Sequence, residues 1–169
     1  MQRNVRVLMT SPSLDSRHNV SGVASVVQGI LLAGKSPGSG LDRDISLCII
    51  GKRDSHSRGL SWAIAQIGVP LRFGASLLRR RPGIVHVNGP LNTLAILRDH
   101  VLLHLARLGR GRLVYHLHGG TWLHQRPSHP GLAWLIGRTL KLPELLLVLG
   151  PHETEQLQRL YDADPSRIR

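Results

Sequence analysis

Apolar positions along the chain switch repeatedly between a strand-like and a helix-like period. Residues 5–9 form a short β-rich run closed by the turn cluster Thr10-Ser11-Pro12, which predicts a first strand. Val23, Val26, Val27, Ile30 and Leu31 then recur at i, i+3, i+4, i+7 and i+8, one face of a helix that Ser21 caps and Gly34 stops. Residues 35–43 are rich in Gly, Ser and Pro and read as a loop, and residues 45–50 as a second strand. Leu60, Ile64 and Ile67 predict a helix that Pro70 interrupts; Leu71, Leu77 and Leu78 carry it on into Arg79-Arg80-Arg81, and Pro82-Gly83 ends it. Residues 84–87 read as a third strand. Leu94, Leu97, Val101, Leu105 and Leu108 mark a long helix closed by Gly109, and residues 113–117 a fourth strand. Leu132, Leu135, Ile136 and Leu140 mark a helix ended by Pro143, followed by an apolar strand over 145–149 and an amphipathic helix over 153–160.

Strands that are apolar at nearly every position, alternating with helices, are the pattern of a parallel sheet covered on both sides. The expectation is an α/β fold: a single Rossmann-like, doubly wound parallel sheet spanning residues 1–169 as one domain. Such sheets bind ligands beyond the carboxyl ends of their strands. The predicted tips are residues 10–22, 51–58, 88–92, 118–122 and 150–153.

The tips differ in chemical content. Ser21-Gly22-Val23 opens the first helix, where a glycine lets an anion approach the N–H groups at the positive helix end or serves a tight turn. It is not a GxGxxG dinucleotide fingerprint. His86 and Asn88 alternate along the third strand and share a face; Asn88 suits a hydrogen bond to a sugar or alcohol, or the turn chemistry of Asn-Gly-Pro. The fourth tip, Tyr115-His116-Leu117-His118-Gly119-Gly120-Thr121-Trp122, is the richest. His118 ends a strand before two glycines whose bare backbone permits close approach of a substrate, and an imidazole can donate, accept or move a proton near neutral pH. His116 lies deeper on the same side, as a core residue. His116, His118 and His124 have no Cys or carboxylate beside them, so no metal site is expected. Glu153 and Glu155 read as acids favoured in the first turn of the last helix.

Charge adds one feature. Lys+Arg number 22 against 10 Asp+Glu, a net +12, so the surface attracts anions: nucleic-acid phosphates, anionic headgroups or phosphorylated small molecules. Cys48 is the only cysteine; it excludes an intrachain disulfide, reads as a buried thiol, and fits a reducing, cytoplasmic setting. No signal-peptide core or bilayer-spanning run is present in the sequence.

Together these segments resemble the N-terminal domain of family 4 glycosyltransferases, which have the GT-B fold. The resemblance rests on the first strand and loop leading to Ser21-Gly22-Val23, on Pro82-Gly83-Ile84-Val85-His86-Val87-Asn88, and on Leu113-Val114-Tyr115-His116-Leu117-His118-Gly119. Residues 145–150 with the acidic helix after them, and the final Pro165-Ser166-Arg167-Ile168-Arg169, extend it over nearly the whole chain. Where that family often has two glycines at the first tip this chain has Ser21-Gly22, and where it often has an aspartate before the third strand this chain has Gly83.

The resemblance implies the acceptor-binding half of a retaining, metal-independent glycosyltransferase that takes a nucleotide-sugar donor, needs no cofactor, and acts on a glycan or lipid-linked acceptor, as in polysaccharide biosynthesis. It implies that Gly22 lies near the donor phosphates, that His118 stands beside the transferred sugar, and that Asn88 and Thr121 line the acceptor pocket. The family's Glu-x7-Glu motif does not occur in the sequence. The expectation is therefore that a C-terminal donor-binding domain or subunit is absent from this chain and that the chain alone has little or no transferase activity. Arg79-Arg80-Arg81 suits peripheral contact with an anionic membrane at the inner face, or a solvated helix end. The alternative of another class is a nonenzymatic nucleic-acid-binding protein; aromatics at 4% offer few stacking platforms, so nucleic acid is not the expected partner. A serine hydrolase ranks last, because no GxSxG elbow occurs.

Overall fold

The structure is a computed structural model that describes residues 5–15, 21–35, 43–50 and 60–169. Five strands, β1 (Val5–Ser11), β2 (Arg43–Ile49), β3 (Ile84–Gly89), β4 (Arg112–Leu117) and β5 (Leu145–Leu147), form one sheet in the order β2-β1-β3-β4-β5. Every pairing is parallel. The helices are α1 (Gly22–Lys35), α2 (Leu60–Arg80), α3 (Thr93–Arg107), α4 (Thr121–His124), α5 (Pro130–Leu140) and α6 (Pro151–Tyr161), with a 3-10 turn at Pro165–Arg167. The architecture is the expected Rossmann-like α/β fold. Residues 36–42 of the expected loop, residues 16–20 of the first tip and the whole expected tip 51–58 lie outside the described residues.

Register partners share a face of the sheet, which sorts the side chains into two layers. Leu8, Cys48, Val85, Val87, Leu113, Tyr115, Leu117 and Leu146 form the buried core with Val69 and Phe73 of α2, Leu102 and Leu103 of α3 and Ile136 of α5. The opposite face carries Met9, paired with His86, and His86, paired with Val114. Helix α1 packs there: a Cβ on Gly34 would touch Ile45, the register partner of Val7. Helices on opposite faces for the first and later crossovers are what right-handed βαβ connections produce when strand order reverses beside β1.

Four expectations need correction or completion. Pro70 does not interrupt α2, which runs unbroken from Leu60 to Arg80. A proline inside a helix removes one backbone donor at about 3 kcal/mol, and the fully buried side chains of Val69 and Phe73 offset it by anchoring the helix to the sheet. Strand β5 stops at Leu147 rather than Leu149. Val148 N–H turns instead to the Arg169 carbonyl at 3.0 Å, and Leu149 N–H to the carboxylate of Glu153 in the first turn of α6. The apolar row Leu94, Leu97 and Val101 marks α3 correctly but faces outward; the buried side of the helix is Ile96, Asp99, Leu102, Leu103 and Ala106. Helix α4 is a single turn that no periodicity announces. Cys48 is buried as expected, and burial pushes its thiol pKa up, away from reactivity.

Candidate functional site

The carboxyl ends of β1, β3 and β4 are tied into one polar array. Thr10 is fully buried near the carboxyl end of β1. Its hydroxyl accepts the Asn88 backbone N–H at 2.8 Å, and its carbonyl accepts the Asn88 side-chain amide at 2.7 Å. Asn88 thus has its NH2 spent on Thr10, which leaves its carbonyl oxygen directed at His118. The His118 Nε2 to Asn88 Oδ1 distance is 3.0 Å. Because that oxygen can only accept, Nε2 carries the proton and donates, and Nδ1 of the neutral ring is left as an acceptor.

Three imidazoles line this face. His86 and His116 are each 8% exposed, with ring centroids 5.5 Å apart, and His116 lies 4.1 Å from His118 at a shallow interplanar angle of 34°. Burial, and the proximity of the other rings, lowers the pKa of His86 to about 4. Burial and His116 lower that of His118 to about 4 as well, and burial lowers His116. All three are therefore neutral at pH 7. Nε2 of His86 and Nδ1 of His116 are buried with no hydrogen-bond partner among the described residues. Among the described residues, no group of three His, Cys, Asp or Glu side chains is arranged to hold a metal ion, and His124 is exposed at the end of α4.

The tips of β3 and β4 are clasped together. His118 N–H donates to the Gly89 carbonyl at 3.1 Å, Leu91 N–H to Gly119 at 2.8 Å, and Trp122 N–H to Leu91 at 3.0 Å. Thr121 N–H donates to the Asn92 side chain at 2.9 Å, so Asn92 caps α4, while the Trp122 indole donates to Thr93 at 3.0 Å. Gly120, at φ +120°, sits where a Cβ would collide with the backbone of Leu91. Gly119, at φ +69°, faces open space instead. The two glycines have different tasks: Gly120 lets the loops close on each other, and Gly119 turns the chain while leaving room beside His118.

Behind the clasp lies a buried charge. Asp99 of α3 is fully buried, pairs with Arg98 at 2.8 Å and accepts the Tyr115 hydroxyl at 3.0 Å. Burial holds its carboxyl above the usual range, against the pull of Arg98 and Tyr115. Gly89 is glycine because a Cβ there would run into the Asp99 carboxylate.

Of the residues singled out from sequence, Asn88 and His118 are brought into direct contact, and Gly119 adjoins them. Thr121 is exposed at the head of α4, with its backbone committed to Asn92. Ser21 caps α1 as expected, its hydroxyl accepting Ala24 N–H at 3.3 Å. Gly22 begins α1, exposed, with nothing among the described residues within 4 Å of a Cβ placed on it. Ser21 and Gly22 head the helix on the same face as His86 and His118, at the same end of the sheet; no hydrogen bond joins them to Asn88 or His118 among the described residues. Sequence reasoning missed Thr10, Asn92 and Asp99. The first two sit in turn-forming clusters that hide their side-chain roles, and Asp99 looks like an ordinary surface charge in a helix. A scan against protein-family models finds no match to the chain, and a search of curated proteins finds none.

Proposed function

We propose that this chain forms the acceptor-side wall of a sugar-nucleotide-dependent glycosyltransferase, completed by a C-terminal donor-binding domain or subunit. The observation that carries the reading is the Asn88–His118 hydrogen bond at the strand ends, which holds a neutral imidazole beside the open side of Gly119. A neutral His118 with Nδ1 free to accept suits a sugar hydroxyl: it orients the hydroxyl without placing a full charge near the leaving phosphate. The head of α1 supports the same reading. Its first turn contains no acid, and the bare Gly22 lets a donor phosphate approach the first N–H groups, of which Ser21 takes that of Ala24. Departure of a nucleoside diphosphate needs further positive charge, which the facing domain supplies. The proposed substrates are a nucleotide-sugar and a glycan or lipid-linked acceptor, with retention of configuration and no metal.

Saturation-transfer NMR tests this on the folded chain with a panel of nucleotide-sugars and oligosaccharides. Saturation of at least one sugar, lost in His118→Ala with the circular dichroism spectrum unchanged, is the expected result. No saturation by any member of the panel, or saturation indifferent to His118→Ala, would overturn the reading.

A further inference from the structure

We propose that the carboxyl ends of α2 and α3 form a docking surface for an anionic phospholipid bilayer, at the end of the sheet opposite His118. Here a pocket of about 700 Å3 opens between the two helices, lined by Leu77, Leu78, Leu105 and Leu108 with Arg81 and Arg110 at its rim. Leu78 is 80% exposed and Leu108 84%, among the most exposed large apolar side chains described. They continue the outward apolar rows of their helices, Ile67 and Leu71 on α2 and Leu94, Leu97 and Val101 on α3, all exposed. So many exposed apolar side chains on two neighbouring helices are unusual on a surface that meets only water.

The charged side chains that line the pocket are both arginine, Arg81 and Arg110; nearby, Arg107 in the last turn of α3 pairs with Glu144 at 3.8 Å. Arg79, Arg80, Arg81 and Arg110 are exposed, and no acidic group pairs with them among the described residues. Helix α2 contains no Asp or Glu, and the only acid of α3, Asp99, is buried. Helix-end stabilisation accounts for Arg79 and Arg80 in the last turn of α2. It does not account for Arg110, which lies beyond α3, or for two leucines standing in solvent. Apolar side chains inserted at the acyl boundary, ringed by guanidinium groups at phosphate level, are the chemistry of interfacial attachment. No helix of the described residues is long and apolar enough to cross a membrane, so the surface lies on the bilayer rather than in it.

Two other occupants fit less well. Nucleic acid matches the arginines but gains nothing from Leu78 and Leu108, and no aromatic side chain lines the pocket for base stacking. A second copy of the chain would set two arginine-rimmed patches against each other, in a protein of net charge +12.

Vesicle co-flotation of the full chain decides the matter, comparing mixed phosphatidylglycerol–phosphatidylcholine vesicles with phosphatidylcholine alone. The proposal expects binding to the anionic vesicles only. Arg79→Gln/Arg80→Gln/Arg110→Gln should weaken partitioning about a hundredfold. Leu78→Ser/Leu108→Ser, which keeps every charge, should weaken it at least about tenfold. Both variants change exposed groups, and circular dichroism checks that they fold. Equal flotation with neutral vesicles, or none with either, overturns the proposal. Full binding by the double serine variant together with competition by duplex DNA assigns the patch to nucleic acid and also overturns it. So does a dimer in solution that the double serine variant converts to monomer.

Discussion

Asn88 and His118 meet across the ends of two neighbouring parallel strands, at 3.0 Å, and Thr10 on a third strand decides what that contact means. With the Asn88 amide nitrogen held by the Thr10 carbonyl, only an acceptor faces the imidazole. The tautomer of His118 is thus set by a residue on a strand that does not adjoin β4. Three strand ends become one unit, which leaves Nδ1 of His118 as an acceptor on the residue next to the open turn at Gly119.

Asn88→Ala removes both side-chain bonds and leaves the Thr10 carbonyl unpaired in a buried position. The expected cost is about 1–3 kcal/mol in chemical denaturation. Asn88→Asp should cost at least as much, because a carboxylate cannot donate to the Thr10 carbonyl. A change under a few tenths of a kcal/mol for Asn88→Ala would mean that the Thr10–Asn88–His118 chain does not form in solution.

The glycines at the tips should separate into two groups. Gly89→Ala and Gly120→Ala force a Cβ into the Asp99 carboxylate and the Leu91 backbone, and each is expected to destabilise by about 3 kcal/mol or more. Gly119→Ala meets only the left-handed backbone penalty, about 1–2 kcal/mol. Gly22→Ala has room and should leave stability unchanged or slightly raised while weakening phosphate-bearing ligands. Equal stability losses in all four, read from denaturation midpoints, would contradict this division.

The buried histidines make stability depend on acid. His86 has a folded pKa of about 4 against an ordinary 6.5, so between these values the unfolded chain binds a proton that the folded chain does not. Stability from this group is fully present above pH 6.5 and is lost as pH falls toward 4, amounting to about 2 kcal/mol by pH 5. His118 acts in the same direction, less strongly, because it is more open to solvent. Urea midpoints at a series of pH values from 7.5 to 5 should fall, and His86→Phe should flatten the profile. A level wild-type profile across that range would show that the rings are not desolvated.

Asp99 should behave as a buried charge with two partners. Tyr115→Phe removes one hydrogen bond and is expected to cost about 1–3 kcal/mol. Asp99→Ala strands Arg98 and opens space behind Gly89, at about 3–5 kcal/mol. A double-mutant cycle on Asp99 and Tyr115 checks the pairing: coupling near zero would mean that the two groups do not meet.

The layered fold was legible because each strand is an apolar run and each helix a separate periodic segment. Asn88 and His118 were legible as neighbours in function, since both stand at strand ends. Their hydrogen bond was not, because strand order and register are long-range properties that local pattern does not encode. Asp99 was invisible for the same reason: its burial follows from Tyr115 and Gly89, which come from other strands. The rows Leu94–Leu97–Val101 and Ile67–Leu71 misled in a useful way. Periodicity identifies an apolar face but not which face the core takes, and α3 carries two of them.

The tautomer of His118 tests the central claim most directly. Long-range 1H–15N NMR of the imidazoles at pH 7 should show His118 neutral, protonated at Nε2, and without a titration near pH 6.5. Its Nδ1 resonance should move when a bound nucleotide-sugar or acceptor glycan is added. A His118 ring that titrates at its ordinary value, with a mixture of tautomers and no response to any of these ligands, would contradict the account.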